Sequence, residues 1–168
     1  MKNEILKIDK ELPTVKKTEL PSGHPLNDLT CRMLIAEAIK AREKAYAPYS
    51  GFKVGAALMS AGKKIITGCN IENAAYGPSM CAERTAIFKA VSEGVHEFEA
   101  ICVVGGLEES PSGYSVPCGV CRQVMTEFCE PAFPIIVAKD ADHYELYTLQ
   151  DLLPKSFGPD NLRRNTEE

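Results

Sequence analysis

The sequence predicts an α/β fold, with helices packed on a mixed sheet of about five strands. Two observations support this prediction. After residue 28, segments with helical spacing of apolar residues alternate with short apolar runs of strand length. The 168 residues, of which 45% are apolar, are enough for one domain with a substantial core. The sequence shows no internal repeat, which argues against a repeat architecture.

The first part of this region predicts a helix followed by a hairpin. A capping residue at Asn27 or Asp28 opens the helix, and Pro48 ends it. Two strands are expected over residues 54–59 and 64–68, joined by a short turn that contains a glycine. The expected apolar face of the helix consists of Leu29, Met33, Leu34, Ala38, Ala41 and Ala45.

The second part predicts further helices and strands in alternation. The expected order is a helix over 81–92, a strand over 100–105, a helix over 118–130, strands over 135–138 and 145–148, and a short helix through Leu153. The loop over residues 107–116 is expected to be a solvated linker, the alternative being a loop that alters access to a pocket. Both long helices of this part therefore begin at cysteines.

Residues 1–27 are expected to form an N-terminal extension, and residues 28–168 the folded domain. The first 25 residues mix Lys, Glu and Pro without sustained apolar periodicity, and three prolines interrupt any long helix. Such a segment is most often a mobile tail, although it can also cover a neighbouring subunit or bind a partner.

The charge and the cysteine content limit the possible partners and compartment. A net charge of -4 argues against broad electrostatic capture of a nucleic acid polymer and favours a small substrate. Seven cysteines, with no signal-like or membrane-spanning apolar run, indicate a reducing compartment. We therefore expect a cytoplasmic protein that does not act at a membrane.

Three cysteines and one carboxylate form the pattern of an open zinc site. Cys81 and Glu83 belong to Cys-Ala-Glu, while Cys118 and Cys121 belong to Pro-Cys-Gly-Val-Cys. Structural zinc usually has four protein ligands, whereas catalytic zinc has three and one open position. Because Cys81 has no closely spaced cysteine partner, the pattern offers three ligands. It is typical of zinc-dependent deaminases, in which the carboxylate transfers protons.

The spacing of these residues requires the fold to bring distant parts of the chain together. Cys118 and Cys121 share a helix face at i, i+3, whereas 36 residues separate Cys118 from Cys81, so folding must bring the third ligand to the site. Cys81 and Glu83 would not share a face on an ideal helix. Either Cys81 is non-helical or the Glu83 side chain reaches around.

The charge of the thiolates has to be moderated. Three thiolates on a divalent cation leave a net charge of about -1, which makes a bound water less acidic than three neutral ligands would. We expect Arg84 and the two helix N-termini to withdraw charge from the sulfurs through hydrogen bonds and dipoles. The other cysteines lack ligand spacing and are expected to be small core residues: Cys31, Cys69, Cys102 and Cys129.

Several separated blocks carry a family pattern. They are Phe-Lys-Val-Gly-Ala-Ala at 52–57, Gly-Cys-Asn-Ile-Glu-Asn-Ala-Ala-Tyr at 68–76, Cys-Ala-Glu-Arg-Thr-Ala at 81–86, Pro-Cys-Gly-Val-Cys-Arg-Gln at 117–123 and Leu-Leu-Pro-Lys-Ser-Phe-Gly-Pro at 152–159. In this order and spacing they resemble the small homotetrameric, zinc-dependent cytidine deaminases. The resemblance covers nearly everything after residue 28 and implies a three-layer α/β/α domain and a homotetramer.

The resemblance also implies an activity. Cys81, Cys118 and Cys121 are expected to hold Zn²⁺, and Glu83 is expected to carry protons between the activated water, the ring N3 and the leaving amine. The expected reaction is hydrolytic deamination of cytidine and deoxycytidine to uridine and deoxyuridine with release of ammonia, a step of pyrimidine salvage. No organic cofactor is expected.

The same resemblance implies the substrate contacts. Asn70 and Glu72 are expected to hydrogen-bond the ribose hydroxyl, since an amide and a carboxylate can satisfy both its donor and its acceptor. Phe52 is expected to contact the base. Phe157 is similar to the aromatic residue that the family contributes to an adjoining subunit, so that the sites would be shared between subunits.

Three other functions have to be weighed. A deaminase of a cytosine-bearing antibiotic nucleoside shares the zinc pattern, but Thr85, Ala86 and residues 157–159 favour cytidine. A polynucleotide deaminase typically has His in place of Cys81 and needs a basic, aromatic-lined channel. A non-catalytic zinc-binding module is the alternative from another class, and the presence of Glu83 and the missing fourth ligand argue against it.

Overall fold

The computed structural model describes residues 26–107 and 111–162. Within these residues no helix is both long and apolar enough to cross a membrane. Most of the expected N-terminal extension lies outside the described residues. In chain order the elements are α1 (Asp28–Arg42), β1 (Lys53–Ser60), β2 (Ile65–Cys69), α2 (Ala82–Ser92), β3 (Phe98–Gly106), α3 (Gly119–Phe128), β4 (Pro134–Ala138), β5 (Tyr144–Thr148), α4 (Leu149–Leu152) and a 3₁₀ turn (Pro159–Asn161).

The strands form one mixed sheet in the order β2-β1-β3-β4-β5. β1 pairs antiparallel with both β2 and β3, and β5 pairs antiparallel with β4. β3 and β4 are parallel, with Val103 opposite Val137, because the chain between them crosses over through α3. The predicted mixed sheet of about five strands is confirmed.

Helices cover both faces of the sheet. Along β1, Ala57 and Met59 pack in the cluster that contains α1, whereas Ala56 and Leu58 pack in the cluster that contains α2 and α3. This alternation is what a strand buried on both faces requires, since successive side chains point to opposite sides. The expected three-layer α/β/α arrangement is confirmed.

Helix α1 begins as expected but turns a different face to the core. The Asn27 side chain caps it by accepting a hydrogen bond from the Thr30 amide at 2.8 Å. The expected positions Leu29 and Met33 are 76% and 45% exposed, so this part of the predicted face was wrong. The buried side chains follow the i, i+3, i+4 spacing that starts at Cys31: Cys31, Leu34, Ile35, Ala38, Ala41 and Arg42.

Helix α1 ends at Arg42, before the expected stop at Pro48, and this last residue is a buried arginine. Arg42 is 2% exposed and donates hydrogen bonds to the carbonyls of Lys53, at 3.0 Å, and Gly106, at 2.9 Å. These carbonyls lie at the start of β1 and the end of β3. The helix stops before Ala45, and the Arg42 side chain joins two strands near the place where their ends approach the functional site.

Helix α2 lies unusually close to the edge strand β2. A Cβ added to Gly68 would lie 2.5 Å from the Ala86 amide nitrogen and would also overlap the Ala82 carbonyl. Only glycine permits this approach without a shift of backbone. The contact sets the height of the first turn of α2 above the sheet.

Candidate active site

The N-termini of α2 and α3 bring the three predicted thiols together. Cys81 is the N-cap of α2 and Cys118 the N-cap of α3, and both have extended backbone angles. Cys121 lies in the first turn of α3. Because Cys81 is not helical, it and Glu83 are not held to helical spacing, which resolves the i, i+2 difficulty. Both helix dipoles favour the thiolate form here.

The three sulfur atoms fit a tetrahedral zinc ion. Their Sγ atoms all lie within 4.8 Å of one another, with 3.8 Å between Cys81 and Cys118 and 3.6 Å between Cys118 and Cys121. Zn–S bonds of about 2.3 Å at tetrahedral angles require S–S separations of about 3.8 Å. The thiols thus already have the spacing that zinc needs, and the predicted Zn²⁺ site is confirmed.

The thiols share protons unequally before a metal binds. The Cys121 thiol donates to Cys81, which lowers the pKa of Cys81 to about 5, with a further contribution from Arg84. The pKa of Cys121 is raised because its proton is held by Cys81 and because it is buried. The site therefore carries a ready thiolate at neutral pH, and a divalent cation would displace the remaining protons.

Arg84 lies against the thiols, as expected of a residue that withdraws charge from them. Its Nη2 donates to the Cys81 sulfur at 3.6 Å and to the Ser79 carbonyl at 3.4 Å. Burial lowers the pKa of Arg84, but its interactions with Cys81 and Cys121 outweigh burial and raise it. Its Nε is buried and has no hydrogen-bond partner among the described residues. A fixed cation thus faces the thiolate cluster.

Glu83 is a buried carboxyl group beside the thiols. It is 3% exposed, and burial is the main reason why its pKa is raised above the usual value. The nearby Cys81 thiolate raises the pKa further. A carboxyl group whose pKa moves towards neutrality can both take and return a proton under physiological conditions. This is the property that a proton carrier requires.

A cavity of about 580 Å³ opens over the thiols and Glu83. Its volume is within the usual range for small-molecule sites, about 300–1,000 Å³. The cavity brings together most of the residues that the sequence predicts at the site: Phe52, Asn70, Glu72, Cys81, Glu83 and Cys118. Cys121 is fully buried and Arg84 lies beside the sulfurs, so both support the cavity from behind.

Asn70 shapes the wall that carries Phe52. Its Oδ1 accepts from the Val54 amide at 2.7 Å, and its Nδ2 donates to the Phe52 carbonyl at 2.8 Å. The Asn70 side chain therefore holds the backbone on both sides of Lys53, at Phe52 and at Val54. The amide still has a second N–H and a second lone pair for a ligand.

Glu72 fixes the turn at Tyr49 and Ser50, which comes just before Phe52 in the chain. One oxygen accepts from the amides of Tyr49, at 2.9 Å, and Ser50, at 3.2 Å, while the other accepts from the Ser50 hydroxyl. The Ser50 hydroxyl oxygen in turn accepts from the Phe52 amide at 2.9 Å. These bonds, led by that of the Ser50 hydroxyl, lower the pKa of Glu72. Glu72 thus stays ionised and holds the turn in place.

Phe157 does not reach the cavity of its own chain. It is 61% exposed and lies beside α3, where the Gln123 amide donates to its carbonyl at 2.8 Å. It is absent from the residues that line the 580 Å³ cavity. Of the predicted site residues, Phe157 alone projects away from both the cavity and the thiol cluster.

The loop before Pro117 supplies a wall of the cavity, which favours the alternative role considered for it. Tyr114, Ser115 and Val116 line the cavity, so the expectation of a solvated linker was wrong for this part of the loop. Gly113 bridges to Gly105 of β3, which draws the loop onto the sheet. The position of these residues directly before a metal ligand was the available indication, because a chain entering Cys118 must pass the site.

The fold and the site define a class of protein. Three thiols spaced for zinc, with a buried carboxyl group beside them in a cavity of an α/β/α domain, define a zinc-dependent deaminase. A family model described as the cytidine and deoxycytidylate deaminase zinc-binding region matches residues 30–137, more than half of the chain. The chain belongs to the cytidine deaminase family.

Relatives and solved structures agree with this assignment. The chain is 49% identical over 135 residues to a cytidine deaminase of Sporosarcina psychrophila. The alignment covers 80% of this chain and 96% of that protein. The chain is 46% identical over 131 residues to one of Halalkalibacterium halodurans, covering 78% and 96%. The crystal structure of a cytidine deaminase from Burkholderia pseudomallei matches with a TM-score of 0.68 and 48% identity, covering 74% of this chain and 97% of that one.

Proposed function

We propose that this protein hydrolyses cytidine and deoxycytidine to uridine and deoxyuridine. One water is consumed and one ammonia released for each nucleoside, as in pyrimidine salvage. The observation that carries the proposal is the position of Glu83, which lies buried in the same cavity as the zinc-binding thiols. An open zinc site with an adjacent proton carrier is the minimum that hydrolytic deamination requires.

Glu83 performs the proton transfers in this proposal. Zinc held by Cys81, Cys118 and Cys121 supplies a Lewis acid that lowers the pKa of water. Glu83 takes one proton from the attacking water and delivers it to ring N3, and then takes the second proton, from the hydroxyl group formed on C4, and delivers it to the departing amine. One carboxyl group can serve these transfers because they occur in succession, with each proton delivered before the next is taken, and because burial raises its pKa above the usual value and so favours uptake of a proton.

The cavity walls orient the nucleoside. Phe52 contacts the base, while Asn70 and Glu72 bind the ribose hydroxyl with the hydrogen-bonding capacity left free by their backbone contacts. The support for this arrangement is that all three residues line the cavity that contains Glu83. Arg84 acts from outside the cavity, where it withdraws charge from the Cys81 sulfur.

A homotetramer completes the site in this proposal. Phe157 is exposed on its own subunit and would enter the cavity of a neighbour. Ile71 and Tyr76 of the cavity wall are also exposed, as are Tyr46 and Tyr49, which contact them, and these apolar side chains suit burial between subunits. All seven cysteines are free thiols, which agrees with action in the reducing cytoplasm.

Replacement of Glu83 tests the mechanism. The Glu83→Gln variant retains the shape of the side chain but cannot carry protons, so kcat for cytidine should fall by about 10²–10⁴-fold while zinc content is unchanged. Uridine formation is followed by absorbance at matched zinc occupancy. Parental turnover in this variant would exclude Glu83 as the proton carrier. An inactive parent enzyme with full zinc occupancy would instead indicate a different substrate or a non-catalytic zinc module.

A further inference from the structure

Arg122 contacts the backbone on both sides of Cys118. Its Nε donates to the Pro117 carbonyl at 2.6 Å, and its own backbone amide donates to the Cys118 carbonyl at 3.0 Å. Both peptide groups that flank the Cys118 Cα are thus bound by one residue. Cys118 is exposed, so packing of its own side chain does little to fix its position.

The other end of the same guanidinium reaches the C-terminal segment. Nη1 of Arg122 donates to the Leu152 carbonyl, at the end of α4, at 2.6 Å. Arginine is suited to this double contact because its planar fork presents several donors in fixed directions. Arg122 therefore joins the backbone at Pro117 and Cys118 to the end of α4, from which the chain continues towards Phe157.

The next residue holds a different part of that segment. The Gln123 side chain donates to the Phe157 carbonyl at 2.8 Å. A Cβ on Gly158 would lie 2.8 Å from the Thr126 methyl group, so the segment also packs tightly on α3 there. Within residues 26–107 and 111–162, the Gln123 side chain makes no hydrogen bond to the backbone of Cys118. Two adjacent residues thus support two different parts of the site.

We propose that Arg122 is a positioning residue for zinc, which fixes Cys118 through the carbonyls of Pro117 and Leu152, whereas Gln123 positions only Phe157. The inference rests on the proposed roles of Cys118 and Phe157. Residues that orient metal ligands through hydrogen bonds typically contribute about 10–100-fold to metal affinity. Loss of Arg122 therefore weakens zinc binding. Loss of Gln123 affects substrate binding and leaves zinc binding unchanged.

A matched pair of variants tests the proposal. Arg122→Met and Gln123→Met introduce the same side chain at adjacent helix positions. Zinc affinity is measured on metal-free protein by competition with a chromophoric chelator, and the melting temperature of the metal-free form reports the fold. We expect zinc affinity to fall by about 10–100-fold for Arg122→Met and to stay at the parental value for Gln123→Met. Gln123→Met should instead raise KM for cytidine with little change in kcat.

Further variants separate the explanations. Arg122→Lys keeps the charge but lacks the fork, so its zinc affinity should also fall, and parental affinity would show that charge alone matters and overturn the proposal. If Arg122→Met does not fold, Arg122→Lys decides the question. Equal losses of zinc affinity in both Met variants would also overturn the proposal, since they would indicate a general destabilisation of α3 and not a specific role of Arg122. Cys118→Ala is the control for the ligand role: unchanged zinc affinity there would contradict the proposed function itself, whatever Arg122 does.

Discussion

Glu83 and Glu72 line the same cavity, yet their surroundings shift their pKa values in opposite directions. Burial raises the pKa of Glu83, whereas hydrogen bonds from the Ser50 hydroxyl and the Tyr49 amide lower that of Glu72. Two carboxyl groups with separated pKa values can divide the work of a site. Glu83 is suited to exchange protons, and Glu72 is suited to remain an ionised acceptor that holds the turn at Ser50.

The role of Glu72 can be tested through the pH dependence of stability. Its pKa in the folded state lies below the ordinary 4.5, so the ionised form stabilises the fold above that pH and the contribution is lost as pH falls through the lowered pKa. Glu72→Gln should therefore melt below the parent at about pH 7, and the difference should shrink as the pH falls below 4.5. The melting temperatures are compared on metal-free proteins.

A surface carboxylate provides the control for this experiment. Glu97 is exposed, and Glu97→Gln should melt close to the parent throughout the pH range. A difference between Glu72→Gln and the parent that persists in acid would mean that the charge of Glu72 is not what stabilises the turn.

At the scale of elements, the site depends on how α2 is seated on β2. The first turn of α2 carries Glu83, and Cys81 directly precedes it. Gly68 allows the backbone of this turn to approach the edge strand, so the height of the helix sets the distance from both side chains to α3. A small displacement here would be transmitted to the sulfur spacing, because packed elements shift as units.

Gly68→Ala should therefore weaken both stability and zinc binding. The added methyl group would meet the Ala86 amide nitrogen at 2.5 Å, so α2 must move, at a cost of about 1–3 kcal/mol in the free energy of unfolding. Urea denaturation measures the first effect and chelator competition the second. Gly62→Ala is the control, because the nearest atom to its added Cβ is the Ser60 hydroxyl at 3.9 Å. Unchanged zinc affinity in Gly68→Ala would show that the seating of α2 does not set the sulfur spacing.

Some elements were predictable because local sequence determines them, and others were not. The helix starts at Cys81 and Cys118 and the apolar strands followed from spacing and length, and the structure confirms them. The buried face of α1 was only partly predicted, because Leu29 and Met33 are as apolar as the residues that pack. The burial of Arg42 at the end of α1 depends on carbonyls of two distant strands, which no local pattern reveals.

The site shows the same division. The zinc ligands have a recognisable spacing, and the predicted helix starts place them at two helix N-termini, which the sheet then brings together. The contribution of Tyr114 and Ser115 to the cavity depends on how the loop folds back onto β3, and this is a tertiary contact. Arg84 was predicted from charge balance alone, and the structure places it next to Cys81.

At the scale of the whole molecule, one chain does not enclose its own cavity. Phe157 is displayed outward, and the cavity mouth carries several exposed aromatic residues. We propose that neighbouring subunits cover this mouth, that residues 28–168 form the catalytic domain and that residues 1–27 are an extension to it. Leu26 is nevertheless buried against the α1 side of the sheet, so a shortened chain should retain it.

Mixed oligomers test whether sites are shared. Glu83→Gln subunits lack the proton carrier and Phe157→Ala subunits lack the donated ring, so each homomer should be poorly active at low cytidine concentration. If Phe157 acts in the neighbour, an equal mixture assembled together has both groups intact in about a quarter of its sites, and activity should rise accordingly. Sedimentation should give about four times the mass of one chain. Activity of the mixture no higher than the average of the two homomers would contradict sharing.

The distance along the chain between Cys81 and Cys118 has a consequence for the order of assembly. The two residues meet only after β3 has entered the sheet and the chain has crossed over to α3. To hold both in an unfolded chain, a metal ion would have to close a loop of 36 residues, whereas in a zinc finger binding and folding are one event. We therefore expect the polypeptide to acquire its tertiary structure first and to load zinc afterwards, through the accessible thiol of Cys118.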